Sequence, residues 1–481
     1  MIALPIGRCF RSKQSFNLLS KPIKGREDVN DSLMRQTLCY IPETLFGFPL
    51  FGWGWGLVLL IAVIIVSHCY QYIRHRKISD IGSSLALLGI GGIMLIFIVP
   101  NLAEPEHGIP IRGYGFCLLL AILAALTLVI HLAKRQNIAA ETVYSLCFWA
   151  VIAGIIGARL FYVTEYWQET FLDHSGEFLS PDKLLFNVLN FAQGGLVVYG
   201  SILGGILGSL IFMLRNKMPV LRTFDIMAPA AILGIAIGRI GCLLNGCCFG
   251  GITDVSWGIV FPAGSPAHIR QAAHGDVFFY GLKFKEINIG EQKILAVAEV
   301  QPGSDAESQG LKPERVLWHI PARDHEGKLV YWTPTTCLEA AQTLAHLQAE
   351  VPDGKIRFDF FTNSSHTEAA SFWLAPPQSE VLPVHPTQIY SSCLALLLCG
   401  TLLLLGKLRF YQQRGGLVFA SFMIFYSVGR FIIEIIRTDE DSFLGTGLTI
   451  SQNVSIGVCL AGIILFIYLS RNKSIYTAPR Q

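Results

Sequence analysis

Nine predominantly apolar stretches run along the chain, near 48–68, 83–100, 113–132, 143–163, 192–213, 224–243, 388–406, 416–436 and 447–469. Each is close to the roughly 20 residues that carry a helix across about 30 Å of hydrocarbon. The pattern therefore predicts an all-α polytopic membrane protein of about nine transmembrane helices. Between the sixth and seventh stretches the periodicity changes. Over about 276–364 it reads as mixed strand and helix: GLKF, then ILAVAEVQPGSDAESQGLKPERVLWHI, a helix-like TPTTCLEAAQTLAHLQ and the alternating KIRFDF. An α+β domain is thus expected as an insert in the membrane body.

Composition narrows the class. Of 481 residues, 52% are hydrophobic and 46 are glycine, while 15% are charged, against about 25% in an average soluble domain. A water-soluble enzyme, a disordered chain and a secreted disulfide scaffold are disfavoured. The net charge of +3 gives no argument for a nucleic-acid partner. Residues 264–384 carry 25 of the 71 charges, 15 of them acidic. Elsewhere, basic residues gather in alternate short loops: Arg74, Arg76 and Lys77; Lys134 and Arg135; Arg215, Lys217 and Arg222; Lys407, Arg409 and Arg414; Arg471, Lys473 and Arg480. The positive-inside rule makes these loops cytoplasmic and turns the other loops and the insert outward. The same count puts residues 1–47 outside, against that rule, since they hold seven Lys or Arg. The first long apolar run starts too late for a cleavable signal peptide. The expected organisation is an N-terminal segment 1–47, two extra helices in 48–104, a membrane core in two parts (105–262 and 385–470), an extracytoplasmic insert at 263–384 and a cytoplasmic tail at 471–481.

Most of the twelve cysteines lie inside hydrophobic runs, where Cys acts as a small apolar residue. Cys242, Cys247 and Cys248 cluster, but C-x4-CC without a paired His or second Cys pair does not predict zinc. Neither metal nor cofactor is expected. The informative residues are charges at membrane depth, where an Arg costs about 2.5–3.5 kcal/mol on insertion scales. Arg159 lies in GARLFY, Arg239 in AIGRIGCLLNGCCFG, and Arg430, Glu434 and Arg437 share one helical stripe in SVGRFIIEIIRTDE. In the predicted orientation Arg159, Arg239 and Arg430 all fall in the outer third of their helices. So do Tyr114 of IRGYGF and Tyr199 of GGLVVYGSILGG. Three cations at one depth suit a phosphate at headgroup level. The competing reading pairs each Arg with an acid such as Glu434, or lets it snorkel outward. Gly200, Gly204 and Gly208 read as a close helix–helix contact. Asn245-Gly246 and Gly250-Gly251 mark a helix break suited to the floor of a cavity. PVHPTQIY opens the next helix with His385, Gln388 and Tyr390, and His385 is a candidate base.

Taken in order, IRGYGF, GARLFY, GGLVVYGSILGG, GRIGCLLNGCCFG, PVHPTQIY and YSVGRFIIEIIRTDE resemble the prolipoprotein diacylglyceryl transferase family over about 105–262 and 381–470. The resemblance implies transfer of the diacylglyceryl group of phosphatidylglycerol to the lipobox cysteine of a prolipoprotein, at the outer leaflet of a bacterial inner membrane, with the insert in the periplasm. It implies that Arg239 and Arg430 are the essential arginines and Tyr114 the tyrosine near the first core helix. Asn245 and Gly250 match signature positions, and Arg159, Gln388, Glu434 and Arg437 fall to substrate binding. Three positions depart: Tyr199 stands where the family often has His, Cys242 where it has Asn and Cys247 where it has Glu. Without that His, either Tyr199 or His385 takes part in catalysis, or the thiol is activated by its surroundings.

The insert is similar to a PDZ domain, with Gly281, Leu282 and Phe284 in the carboxylate-binding loop, although Arg315 replaces the usual acidic residue. Such a domain adds a peptide as a strand to an open sheet edge. The alternative is a structural module over the pocket mouth. Two functions follow: the transferase, or an inactive paralogue that acts as a membrane receptor or scaffold through its insert. Retention of Arg239, Arg430, Glu434 and Tyr114 favours the enzyme.

Overall fold

Among the described residues the longer helices are α1 (Trp55–His75), α2 (Gly113–Lys134), α3 (Ala140–Glu165), α4 (Val198–Arg215), α5 (Val220–Asn245), α6 (Pro266–His274), α7 (Cys337–Glu350), α8 (Thr387–Leu405), α9 (Leu417–Ile436) and α10 (Ile450–Arg471). They come from a computed structural model that describes residues 37–51, 53–75, 88–89, 91–102, 108–165, 167, 171, 178, 180, 198–289, 292–323, 329–350, 355–361, 369–375, 381–437 and 447–472. Among these residues six helices, α2, α3, α5, α8, α9 and α10, are long and apolar enough to cross a membrane, and shorter apolar stretches lie in α1 and α4. The protein is therefore a polytopic helical membrane protein. Eight of the nine expected runs correspond to these helices; in the ninth, at 83–100, residues 83–87 and 90 fall outside the described residues, as does the start of the run at 192–213. Within 83–100, residues 88–89 and 91–93 are helical and Met94–Ile98 is a π-helix, followed by a 3-10 turn, Val99–Leu102. Most of the expected segment 1–47 also lies outside the described residues.

The helix faces turned from the protein are apolar: Leu118, Leu119, Ile122 and Leu123 of α2 and Leu396, Leu397 and Leu404 of α8 are exposed. In water this would be a liability; in hydrocarbon it is the ordinary surface. Since lipid supplies no hydrophobic drive between helices, small residues and polar contacts hold the bundle. The glycines of α3 and α4 are that device, because a Cβ on Gly157 would land on the carbonyl oxygen of Gly200. On the other side α5 packs against α8 through Ile232, Ala236, Ala395, Cys399 and Leu402, and Ser392 Oγ donates to the Ala236 carbonyl at 2.8 Å. The start of α9 has only Gly416 as its N-cap. Its free N–H groups are satisfied from α5, where Asp225 accepts from Gly416 N at 2.5 Å and Phe419 N at 2.8 Å.

Short strands lie at one end of the bundle. Thr37–Ile41 (β1) pairs antiparallel with Ile109–Arg112 (β2), which leads straight into α2, so residues 37–41 lie at the same end of the bundle as Tyr114. The insert is α+β. Leu282–Ile289 (β3) pairs with Gln292–Val300 (β4). Leu317–Arg323 (β5), Leu329–Trp332 (β6), Ile356–Phe361 (β7) and Ala369–Leu374 (β8) form a sheet in the order β8-β7-β5-β6. The alternation in KIRFDF buries Ile356, Phe358 and Phe360, which join Tyr280, Leu282, Leu295, Ile320 and Leu344 in one core. The Leu282 N–H is bonded to the Phe279 carbonyl, closing a tight turn at Tyr280 and Gly281, both of positive φ. The insert is joined to the bundle by α6, where buried Gln271 bonds both the N–H and the C=O of Leu382.

Candidate active site

Arg239, Arg430 and Arg159 each sit six residues before the end of α5, α9 and α3, respectively. Six residues correspond to about 9 Å of helix, so the three guanidinium-bearing positions share one depth. Two of them meet. Arg239 and Arg430 line a single cleft whose other walls include Ile232, Ile235, Leu394, Leu398 and Ile433. Arg159 does not join them through any contact seen among the described residues: it is buried on α3, stacked 5.0 Å over the Tyr162 ring.

Around Arg430 the helical stripe forms a charge network. Glu434, with no exposed side-chain surface, receives Arg430 at 2.8 Å and Arg437 at 3.3 Å. Thr449 Oγ1 adds a donor at 3.4 Å to the second carboxylate oxygen. A buried carboxylate contacted by two arginines and a hydroxyl fixes both guanidinium groups. Arg430 also donates to Ser451 Oγ at 3.0 Å, and the same hydroxyl lies 3.5 Å from Tyr199 Oη. Ser451, at the start of α10, is thus the link between α9 and Tyr199 of α4. Its role is not legible in the sequence, where SQNVS looks like any helix opening.

The loop after α5 stitches three helix ends together. Gly246, at φ +69, ends the helix by bonding back to the Cys242 and Leu243 carbonyls. Gly250 N then bonds the His385 carbonyl and Gly251 N the Ile436 carbonyl, each at 2.9 Å. A Cβ on Gly250 would come within 2.7 Å of His385 Cβ and 2.8 Å of Thr387 Cγ2, so this position is a close backbone approach. From α8, Thr387 Oγ1 donates to Cys248 O at 2.6 Å and buried Gln388 Nε2 to Cys247 O at 2.7 Å. Asn245 closes α5 beside the Cys247 thiol. Tyr114 lies against Gly241 and within electrostatic reach of Arg239 and the three cysteines. His385 Nδ1 is 3.4 Å from Tyr390 Oη, which accepts from Trp257 Nε1 at 2.7 Å. His385 therefore faces Tyr390, while the arginine network is served by Tyr199 and Ser451. The sulfurs of Cys242, Cys247 and Cys248 converge within 4.8 Å of one another.

This arrangement offers two guanidinium groups above an apolar cleft, a fit for an amphipathic anion. The comparisons with known proteins agree. Residues 102–468 match the family described as prolipoprotein diacylglyceryl transferase. A phosphatidylglycerol--prolipoprotein diacylglyceryl transferase of Rhodopirellula baltica is 31% identical over 469 residues, covering 90% of this chain and 89% of that protein. Enzymes of the same name from Clostridium perfringens (number 2) and Trichormus variabilis are 36% and 34% identical, over 33% and 35% of this chain and 58% and 57% of their own lengths. The chain belongs to the prolipoprotein diacylglyceryl transferase family.

Proposed function

We propose that the protein transfers the diacylglyceryl group of phosphatidylglycerol to the lipobox cysteine of prolipoproteins, forming a thioether and releasing glycerol phosphate. The observation that carries this reading is the cleft in which Arg239 and Arg430 share one depth over apolar walls. A phosphate at the arginines leaves the acyl chains against Ile232, Leu394 and Ile433. The cysteine sulfur attacks the glycerol carbon that bears the phosphate oxygen, the C–O bond breaks, and its electron pair leaves on that oxygen. Fixed cations stabilise the departing charge more than they stabilise the neutral ester linkage, which lowers the barrier. Glu434 holds Arg430 and Arg437 in place, and Ser451 of α10, backed by Tyr199 of α4, steadies Arg430. Tyr114, Asn245, Gln388 and Arg159 shape the surroundings, and His385 is the remaining candidate base. No nucleic acid enters this reading.

The finer organisation follows the charges. Nine spans, a cytoplasmic C-terminus and a periplasmic insert at 263–384 are supported by the alternating basic loops in a bacterial inner membrane. The insert is read as a PDZ-like module over 276–364 that takes a peptide along β3; the order β3-β4, β5, α7, β7 supports that reading, as does the turn at Gly281 before Leu282 and Phe284. Membranes carrying the Arg239→Gln variant, given labelled phosphatidylglycerol and a lipobox peptide, are expected to lose transfer. Wild-type activity in that variant overturns the assignment.

A further inference from the structure

Among the described residues, Cys242, Cys247 and Cys248 are the one group of metal-ligand side chains whose donor atoms converge. The convergence is built by the backbone. Gly246 and Cys248 both take left-handed conformations, φ +69 and +60, which fold the chain back over the last turn of α5. A non-glycine residue held there stores strain of about 1 kcal/mol or more. The loop is clamped from outside by the bonds of Thr387 and Gln388 to the Cys248 and Cys247 carbonyls. Gln388 is fully buried and its Oε1 has no partner.

Three sulfurs about 2.3 Å from a tetrahedral zinc lie about 3.8 Å apart. The observed spread of up to 4.8 Å closes on such an ion with small side-chain rotations. Electrostatics point the same way. Three thiolates around Zn²⁺ carry one net negative charge, and Arg239 and Arg437 both lie within electrostatic reach of Cys248. Without a cation, three thiolates packed together repel one another strongly.

We propose that Cys242, Cys247 and Cys248 bind a zinc ion whose open fourth position takes the lipobox thiolate of the substrate. The proposal rests on the transferase reading and supplies what Tyr199 does not, a means of generating the thiolate. Three protein ligands with one open position are the arrangement of a catalytic rather than a structural zinc. On coordination the substrate thiol gives its proton to water at the outer face. A sulfur lone pair then forms the C–S bond as the C–O bond to phosphate breaks, and that electron pair leaves with the phosphate at the arginines. The thioether product has no anionic sulfur, ligates weakly and departs.

The full-length protein, purified anaerobically in detergent, is expected to hold about one zinc per chain by elemental mass spectrometry. Cobalt put in its place is expected to show a thiolate-to-cobalt charge-transfer band that a lipobox peptide perturbs and that Cys242→Ser weakens. A strong chelator is expected to lower transfer about 10–100-fold, with recovery on adding Zn²⁺ and not Mg²⁺. The proposal is overturned by a metal-free protein whose three thiols all react with iodoacetamide under native conditions. It is equally overturned by stoichiometric copper(I) instead of zinc, or by a disulfide among the three in the unreduced chain. Because the wild-type chain is used, misfolding of a variant does not decide the outcome. Active but zinc-free protein sinks the zinc site alone. Zinc-loaded protein that transfers nothing sinks the transferase reading alone.

Discussion

Tyr199 occupies the position where a histidine is common, and its environment says what it does. Its hydroxyl is 3.5 Å from Ser451 Oγ, at the limit of a hydrogen bond, and that serine also receives Arg430 at 3.0 Å. The contact supports the proposal that Tyr199 acts on the arginine through Ser451, as a positioning residue rather than a proton acceptor. Removing its hydroxyl in Tyr199→Phe deletes one long neutral hydrogen bond, worth about 0.5–1 kcal/mol, or roughly 2–5-fold in kcat/KM. Ser451→Ala deletes a bond to a charged group, worth about 1.5–3 kcal/mol. Since Arg430 keeps its 2.8 Å contact with Glu434, the lower end applies, about tenfold. If Tyr199 works through Ser451, the two losses do not add, and the double variant falls within about twofold of Ser451→Ala alone. The assay is single-turnover transfer from phosphatidylglycerol vesicles to a fluorescent lipobox peptide, with all four proteins at matched amounts. A loss of about 100-fold or more in Tyr199→Phe, the range of a general base, refutes this reasoning. So does strict additivity.

Other expectations follow from single contacts. Glu434→Ala leaves Arg430 and Arg437 without their shared carboxylate, and breaking such a buried pair costs about 3–5 kcal/mol; thermal unfolding in detergent should show a clear drop. Gly250→Ala drives a methyl into His385 and Thr387, an overpacking cost of about 1–3 kcal/mol, read as a lower unfolding midpoint with reduced transfer. At the joint of the insert, burial pushes the His268 pKa down to about 4, and its Nδ1 accepts from Gly264 N at 3.0 Å. The folded state thus binds its proton later than the unfolded chain, so this stability is present above about pH 6.5 and is lost as pH falls toward 4, up to about 3 kcal/mol. His268→Asn, neutral throughout, should flatten that limb in a pH series of unfolding midpoints; an unchanged slope counts against it.

Much of this molecule is legible along the chain because lipid allows few solutions. Runs of about 20 apolar residues have to become helices, since hydrocarbon satisfies no backbone group. Arg239, Arg430, Glu434 and Arg437 stand out because charge is scarce where they lie, and the spacing of four and three already puts the last three on one stripe. Sequence spacing does not say which helices are neighbours. It gave Arg159, Arg239 and Arg430 equal standing, yet packing of α5 with α8 and α9 brings the latter two into one cleft, while Arg159 lies with Tyr162. It likewise ranked His385 with Tyr199, although His385 turns to Tyr390 and Tyr199 to Ser451.

The periodicity of apolar residues and the placement of charge by themselves determined a polytopic helical body, its α+β insert and the depth of its cations. The partners of each cation, the service of Ser451 and the meeting of three sulfurs were decided only by tertiary structure. They depend on side chains far apart in sequence, or, for Cys242, Cys247 and Cys248, on two left-handed residues that reverse the chain. Read linearly, C-x4-CC looked too short of ligands for a metal. The reversal after the helix end brings the three sulfurs within 4.8 Å of one another, which a linear reading does not show.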